Sequence, residues 1–226
     1  MSDDWEQSFA DIGAFWYHDG NPRRPYVELT NLKDGHRQII NGYFNGAIVQ
    51  KHAWLFGRAC VELSGMLSSI HEPDSDGSQA IYVIAVEKGG TALSQRLGEA
   101  LMCGSGFAEK IDEHTVRFER FTFEEDAVFI PGEDTVTSGG TVGRLLIAAR
   151  RAAPRCRFHP FILAFCNRSG KSEIWFDGSP YQVLALVDRA MQTWNLGENP
   201  FTPDGRELVE PVKAKTHWAE LTRSYD

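Results

Sequence analysis

Two acidic residues followed by a loop of small polar residues form the stretch of this sequence best suited to chemistry. Glu133 and Asp134 stand side by side, and shortly after them comes the run Thr137, Ser138, Gly139, Gly140 and Thr141. The two glycines allow a ligand to approach the backbone closely, and the three hydroxyls can donate to phosphate oxygens. Neighbouring carboxylates suit sugar hydroxyls or a divalent metal. We predict a phosphate site here; the alternative is an acidic β-turn followed by a helix cap.

A second loop offers a cation and a permissive backbone. Glu87, Lys88, Gly89 and Gly90 directly follow the apolar run at positions 80 to 86. A helix that begins after such a loop presents unpaired N–H groups to an anion. This loop is therefore a second candidate ligand site, and its alternative is a plain turn with a helix cap at Thr91.

Buried strands alternating with helices must position both loops. Continuous apolar runs predict strands at 80–86, 127–130 and 158–165, and helical spacing predicts helices over 50–67, 92–102 and from about 141 onward. This order indicates an α/β fold with crossovers onto a parallel sheet, in which ligands bind at the carboxyl ends of the strands. A short helix over 4–15 and short strands at 26–30 and 39–45 precede this core. Over 182–194, helix and strand fit equally well.

The composition bounds the class of protein. A chain of 226 residues fits a single α/β domain with additions, and its formal net charge of −8 argues against a general nucleic-acid or anionic-membrane binder. No apolar run approaches the roughly 18 residues of a membrane helix, and the acidic start is unlike a signal peptide. The four cysteines lack a CxxC pair, which favours a reducing cytoplasm. Cys156, His159 and Cys166 could share a metal, but we favour a buried strand there.

The segment 127–149 resembles the phosphoribosyl-pyrophosphate (PRPP) motif of the type I phosphoribosyltransferases. That motif is a hydrophobic strand, two acidic residues and a Thr/Ser/Gly-rich loop that opens a helix. The resemblance implies that Glu133 and Asp134 meet the ribose hydroxyls of PRPP and that residues 137–141 wrap its 5′-phosphate. It also implies the type I fold, in which helices flank a central, mostly parallel sheet with an N-terminal hood and a two-stranded flap. We accordingly predict one domain, with hood 1–49, core 50–176 and C-terminal extension 177–226.

Further segments resemble the orotate phosphoribosyltransferases within that family. They are the hood (32–35 and 42–45), the pyrophosphate loop (86–90), the flap (108–110 with Arg117 and Arg120), the base-contacting turn (167–170) and the C-terminal extension (199–205, 210–211 and Trp218). The resemblance implies that PRPP is also bound by Lys33, Lys88, Gly89 and Gly90. It assigns the base to Phe44 and Arg168, and catalysis to Lys110, His114 and Asp134. It further implies Mg²⁺ carried by PRPP, with Glu133 and Asp134 as additional candidate ligands, and a homodimer in which flap residues 110–114 of one subunit cover the other's site.

Several departures from the orotate pattern leave the base open. Residues 36–41 are HRQIIN where the family has a small Ser-containing turn, Asn167 replaces the usual Asp, the flap is short, and the C-terminal Cys-Pro-x-Cys is missing. The resemblance predicts transfer of the 5-phosphoribosyl group from PRPP to orotate with release of pyrophosphate. A phosphoribosyltransferase for another base and a non-catalytic PRPP-binding regulatory protein remain alternatives.

Overall fold

The computed structural model describes residues 4–29, 37–70, 79–196, 198 and 209–224. Lys33 with the rest of hood segment 32–35, the loop 71–78 and the C-terminal stretch 199–205 lie outside the described residues. The chain divides into two compact units, one of residues 1–45 with 191–226 and the other of residues 46–190. Among the described residues, every helix is too short or too polar to span a lipid bilayer.

The helices and strands are numbered in chain order. The helices are α1 (Trp5–Asp11), α2 (Gly46–Lys51), α3 (Ala53–Ile70), α4 (Gly89–Leu101), α5 (Gly140–Ala152) and α6 (Trp218–Thr222). The strands are β1 (Phe15–Tyr17), β2 (Val27–Glu28), β3 (Gln38–Ile40), β4 (Gly42–Phe44), β5 (Ile81–Val86), β6 (Gly104–Lys110), β7 (Val116–Arg117), β8 (Val128–Val136), β9 (Arg157–Phe158), β10 (Phe161–Asn167), β11 (Glu173–Phe176), β12 (Ser179–Asp188) and β13 (Thr193–Asn195).

The unit of residues 1–45 and 191–226 is built from short elements around aromatic side chains. Helix α1 begins after Asp4, whose carboxylate accepts from the backbone N–H of Gln7, as expected of an N-cap. Strand β1 pairs antiparallel with β4, and β3 pairs antiparallel with both β2 and β13. The predicted N-terminal helix is confirmed but ends at Asp11. The reason is that Gly13 turns the chain with φ +76°, beneath the indole of Trp218.

The unit of residues 46–190 contains a sheet whose strands run in the order β11-β12-β10-β8-β5-β6-β7, with β9 pairing to β8. Strands β12, β10, β8, β5 and β6 are parallel, while β11 and β7 are antiparallel additions at the two edges. From β5 the chain adds β6 on one side and then returns to place β8 on the other. The strand order therefore reverses between β5 and β8, where ligands bind in open α/β sheets.

Helices cover both faces of this sheet. On one face lie α3 and α4, and the ring of Phe56 in α3 meets Phe165 of β10 edge-on at 5.8 Å between centroids. On the other face lies α5, whose Leu145 is buried with Ile84 of β5 and Phe129 of β8. Each face thus has its own apolar core, and the carboxyl ends of the strands stay at one open edge.

The observed strand limits differ from the predicted ones. The strand predicted at 127–130 is longer than expected and includes Glu133 and Asp134, because β8 continues to Val136, which pairs with Asn167 of β10. The undecided stretch 182–194 contains no helix: residues 182–188 belong to β12 and residues 193 and 194 to β13, and residues 189–192 between them are not part of a strand. The predicted core boundary at residue 176 falls between β11 and β12, two strands of the same sheet.

Candidate active site

Two loops meet at the carboxyl edge of the sheet where its strand order reverses. The first follows β5 and consists of Glu87 and Lys88, and the second follows β8 and spans residues 137–139. Each loop leads directly into the N-terminus of a helix of 13 residues, α4 or α5. The unpaired N–H groups and positive dipole ends of both helices therefore face the same crevice, which favours anionic ligands.

The two neighbouring carboxylates lie on opposite faces of β8. Successive side chains of a strand alternate between the faces of the sheet. Phe129 packs on the face of α5, whereas a side chain at Gly132 would approach Leu97 of α4. By the same alternation Glu133 lies on the α5 face and Asp134 on the α4 face, so the two side chains have different surroundings.

Glu133 is held beside the start of α5. Its carboxylate accepts a hydrogen bond from the hydroxyl of Thr141, and the guanidinium of Arg144 lies near it, also bonding Thr141 Oγ1 at 3.4 Å. Its Oε2 atom is buried and has no hydrogen-bond partner among the described residues. Burial raises the pKa of Glu133 to about 7, and the charge of Asp134 adds to the rise. A buried carboxylate oxygen without a partner is costly, so a ligand hydroxyl that donates to it would be favoured.

Asp134 is packed against two glycine backbones. A Cβ atom at Gly46, the first residue of α2, would lie 2.5 Å from Asp134 Oδ2, and one at Gly89 would lie 2.8 Å from it. Gln50 strengthens this arrangement, since its side-chain amide donates to the carbonyl of Gly89 at 2.6 Å. Burial raises the pKa of Asp134. Asp134 therefore lies between the loop after β5 and the start of α2.

The loop after β8 is shaped by a left-handed glycine. Gly139 has φ +80°, and a Cβ atom there would overlap Cγ2 of Ile174 in β11. Thr137 and Ser138 are exposed, while Thr141 is partly buried by its contacts with Glu133 and Arg144. The predicted phosphate loop therefore lies at the start of α5. Its backbone turns at Gly139, a position where a side chain would be both strained and in steric overlap.

The loop after β5 places a lysine at the other helix start. Lys88 is exposed and precedes α4, which begins at Gly89, three residues before the predicted start. A Cβ atom at Gly90 would lie 2.5 Å from the Cβ of Ala85, so glycine is required there for close packing of helix on strand. Glu87 ties the loop to β6, since its Oε1 accepts from the backbone N–H of Lys110 at 2.9 Å.

The predicted flap is a short hairpin. Strands β6 and β7 pair antiparallel and are joined by residues 111–115, which confirms a turn between two strands. Lys110 is the last residue of β6, and its positive charge opposes the burial that raises the pKa of Glu133 and of Asp134. His114 is an exposed turn residue whose backbone N–H donates to Asp112 Oδ1.

Arg168 follows β10 and lies on the same side of the sheet as Glu133. Strand β10 neighbours β8, as expected if Arg168 is to face the crevice, and the backbone N–H of Arg168 donates to the carbonyl of Val136 at 3.0 Å. Burial lowers the pKa of Arg168, and the charge of Glu133 partly opposes that effect. A partly buried guanidinium is suited to binding a planar anionic group.

Asn167 builds the turn that carries Arg168. It is fully buried, its amide Nδ2 donates to the carbonyl of Lys171 at 2.8 Å, and its Oδ1 accepts from the hydroxyl of Ser169 at 2.7 Å. The amide thus both donates and accepts inside the turn, which a carboxylate cannot do.

Asn167→Asp is therefore expected to lower stability by about 1 to 3 kcal/mol, because it faces a carboxylate with the carbonyl of Lys171. Thermal unfolding at neutral pH measures this loss. The matched control is Ser169→Ala, which removes the hydrogen bonds of the Ser169 hydroxyl with Asn167 Oδ1 and with the backbone of Lys171 without adding a charge, and should cost about 1 kcal/mol for each bond lost. Equal stability of Asn167→Asp and the wild type would contradict the role of the amide.

Three contributors to the site were not predicted from the sequence. Arg144 lies beside Glu133, and its position three residues after Thr141 in a helix could have indicated it. Gly46 and Gln50 touch Asp134 and Gly89 from α2, and no sequence pattern indicates them. Of the remaining predicted residues, Phe44 lies in β4 of the other unit, where its ring packs against Phe9.

Known proteins resemble this chain over most of its length. The orotate phosphoribosyltransferase of Carboxydothermus hydrogenoformans is 27% identical over 197 residues, covering 84% of this chain and 95% of the relative. That of Caldicellulosiruptor saccharolyticus is 24% identical over 195 residues, covering 84% and 94%. No protein-family model matches the chain.

Solved structures show the same fold. The orotate phosphoribosyltransferase of Aeropyrum pernix superposes with a TM-score of 0.53 at 12% identity, covering 81% of this chain and 92% of that one. The adenine phosphoribosyltransferase of Saccharomyces cerevisiae gives 0.53 at 10% identity, covering 80% and 98%. The predicted α/β fold of the type I phosphoribosyltransferases is therefore confirmed.

Proposed function

We propose that this chain, a type I phosphoribosyltransferase and hence a pentosyltransferase, transfers the 5-phosphoribosyl group of PRPP to orotate, giving orotidine 5′-phosphate and pyrophosphate. The observation that carries the proposal is the carboxylate Glu133, with a buried unpartnered oxygen, next to the Gly139 loop and the start of α5. This combination suits a ribose hydroxyl adjoining a phosphate.

The reaction exchanges one bond at C1 of the ribose. The bond from C1 to the pyrophosphate oxygen breaks, and its electron pair leaves with pyrophosphate. A ring nitrogen of the base supplies the electron pair of the new bond to C1, and its proton passes to solvent or to the leaving pyrophosphate. Charge grows on the leaving oxygens while the ribosyl group becomes cationic, so fixed cations beside pyrophosphate accelerate the step. Lys88 at the start of α4 and Lys110 at the end of β6 take this role.

The other residues bind and orient PRPP. Residues 137–141 and the first turn of α5 hold the 5′-phosphate through backbone N–H groups and the exposed hydroxyls of Thr137 and Ser138. Glu133 accepts from a ribose hydroxyl. Asp134 adds negative charge on the opposite face of β8 and stabilises a ribosyl cation, while its contacts with Gly46 and Gly89 fix the loop after β5.

Mg²⁺ is part of the same proposal and enters with PRPP. Carboxylate oxygens are acceptable ligands for this ion, so Glu133 and Asp134 suit it chemically. Their side chains nevertheless leave opposite faces of β8, and the described residues contain no group of three His, Cys, Asp or Glu side chains able to hold a metal. PRPP oxygens would therefore supply most of its ligands, and the bound ion would neutralise the leaving pyrophosphate.

Orotate is the proposed base because it carries a carboxylate. Arg168 offers a planar pair of donors on the side of Glu133, and Asn167 fixes the turn that holds it. Both sequence relatives named above are orotate phosphoribosyltransferases. Adenine, the base of one structural neighbour, lacks a carboxylate and would leave the guanidinium without an anionic partner.

Incubation with PRPP, Mg²⁺ and a panel of bases tests this function through pyrophosphate release. Orotate should be the preferred base, and omission of Mg²⁺ should abolish release. Preference for adenine or another base without a carboxylate would overturn the choice of orotate. PRPP binding without release for any base would favour a regulatory PRPP-binding protein.

Arg168→Ala is expected to raise the KM for orotate by at least about tenfold, with little change in the KM for PRPP, because it removes a charge-assisted pair worth roughly 1.5 to 3 kcal/mol. Steady-state kinetics with each substrate varied in turn measures the two constants. Lys171→Ala, which removes an exposed cation of the same turn, is the matched control and should leave both constants unchanged. Equal effects of Arg168→Ala on both substrates would contradict its role in base binding.

A further inference from the structure

We infer that the guanidinium of Arg144 binds the 5′-phosphate of PRPP, in addition to the backbone N–H groups and hydroxyls of the loop after β8. The inference rests on the proposed function and adds a cation to its phosphate site. Three features of the start of α5 carry it: the position of the guanidinium, the single proton of the Thr141 hydroxyl, and the balance of charge at this end of the helix.

The side chain of Arg144 folds back over the start of its own helix. Arg144 lies one turn into α5, and helical side chains point toward the N-terminus. Its Nη2 donates to Thr141 Oγ1 at 3.4 Å. A Cβ atom at Gly140, which is exposed, would lie 3.8 Å from Arg144 Nη1 and 3.6 Å from Ser138 Oγ. The guanidinium and the Ser138 hydroxyl therefore border the same open space beside Gly140, in the loop proposed to hold the phosphate.

The hydroxyl of Thr141 is already engaged, so the guanidinium supplies the donors that this hydroxyl cannot. A threonine hydroxyl has a single proton, and Thr141 donates it to the carboxylate of Glu133. Arg144 has several N–H donors, and among the described residues its one hydrogen bond is the long one to Thr141. Its other donors are available to phosphate oxygens, which the planar guanidinium binds in pairs.

The charge balance at the start of α5 also favours an anion. The positive end of the helix dipole disfavours a cation, and arginine is more stable near the opposite end, where α5 carries Arg150 and Arg151. In the part of the chain that the structure describes, Arg144 forms no ion pair with a carboxylate. A phosphate monoester carries a charge of about −1.5 to −2 at pH 7 and would satisfy both the guanidinium and the helix end.

Calorimetry with ribose 5-phosphate and with PRPP tests the inference. Ribose 5-phosphate lacks pyrophosphate, so its affinity reports on the 5′-phosphate. Arg144→Ala should bind both ligands about 10- to 100-fold more weakly, the usual loss for a charge-assisted hydrogen-bonded pair. Arg144→Gln keeps a donor for Thr141 without the charge and should lose as much. Arg151→Ala, which removes an exposed cation from the last turn of α5, is the matched control and should bind both ligands like the wild type.

The same measurement at pH 9 separates a phosphate contact from an effect through Glu133. Arg144 and Lys110 oppose the burial that raises the pKa of Glu133 to about 7, and Asp134 adds to the rise. If Arg144 only kept Glu133 ionised, its removal would have little effect at pH 9, where the carboxylate is ionised without it. A contact with the phosphate, which is a dianion at that pH, predicts a loss that persists.

Equal affinity of wild type and both Arg144 variants for ribose 5-phosphate, or a loss that disappears at pH 9, would overturn the inference and leave the proposed function intact. An equal loss in Arg151→Ala would also overturn it, since the effect would then follow net charge alone. Failure of the wild type to bind PRPP would overturn the proposed function and the inference with it. Thermal unfolding without ligand shows whether each variant is folded, and Arg144→Gln decides the question if Arg144→Ala is not.

Discussion

Gly139→Ala is expected to raise the KM for PRPP by about 100-fold or more while the protein stays folded. The substitution meets two obstacles at once, because Gly139 has φ +80° and a Cβ atom there would overlap Ile174. The left-handed conformation costs a non-glycine residue roughly 1 to 2 kcal/mol, and overpacking typically adds about 1 to 3 kcal/mol. We expect the loop to change its conformation, which relieves the strain and the overlap but displaces the N–H groups proposed to bind the 5′-phosphate.

Gly178→Ala is the matched control for this prediction. Gly178 also has a positive φ, +75°, but a Cβ atom there would meet nothing within 4 Å. Alanine at position 178 therefore has the same unfavourable φ without a steric overlap. Since Gly178 lies in the turn between β11 and β12, the KM of Gly178→Ala for PRPP should equal that of the wild type. Adding Ile174→Ala to Gly139→Ala should recover part of the lost affinity. Unchanged PRPP kinetics in Gly139→Ala itself would show that the loop does not hold the phosphate.

The fold of residues 46–190 was predictable because its signals are local and repeated. The apolar runs that became β5 and β10 are continuous, and the helical spacing that predicted α3 recurs over several turns. A strand order that reverses between β5 and β8 is the common arrangement of such units, so the position of the ligand loops followed from their place after strands.

The limits of β8 were not predictable in the same way. Its carboxyl half, Gly132 to Thr135, is polar and follows Pro131, and this composition resembles a loop. The segment is nevertheless strand, because the neighbouring β10 supplies partners as far as Asn167. Pairing between strands distant in sequence has no local signal. For the same reason, the sequence did not predict that the side chains of Glu133 and Asp134 lie on opposite faces of β8. It also did not predict the contacts of Asp134 with Gly46 and Gly89.

Glu133→Gln is expected to weaken PRPP binding by about 10- to 100-fold, since a hydrogen bond from a ribose hydroxyl to a charged acceptor contributes roughly 1.5 to 3 kcal/mol. The buried Oε2 has no partner among the described residues, so in the absence of PRPP the loss of its charge should not destabilise the fold. Calorimetry gives the affinity. Glu119→Gln, at an exposed position after β7, is the control and should change neither affinity nor stability.

The stability of Glu133→Gln relative to the wild type should depend on pH. The pKa of Glu133 is raised from 4.5 to about 7 in the folded protein, so the folded state binds the proton more tightly than the unfolded state does. Below about pH 4.5 Glu133 is protonated in both states and its ionisation does not reduce stability. As pH rises from about 4.5, ionisation makes the folded state progressively less stable, and above about pH 7 the loss is constant.

Glutamine cannot ionise and avoids this loss of stability. The free energy of unfolding of the variant should equal that of the wild type near pH 4.5 and exceed it at pH 8. The difference should be at most about 3 kcal/mol, since the variant also loses the favourable interaction between ionised Glu133 and Arg144. Thermal unfolding of both proteins between pH 4.5 and pH 8 measures the difference. A variant less stable than the wild type at pH 8 would mean that the ionised carboxylate stabilises the fold. That result would contradict the inference that its burial is unfavourable until a ligand hydroxyl binds to it.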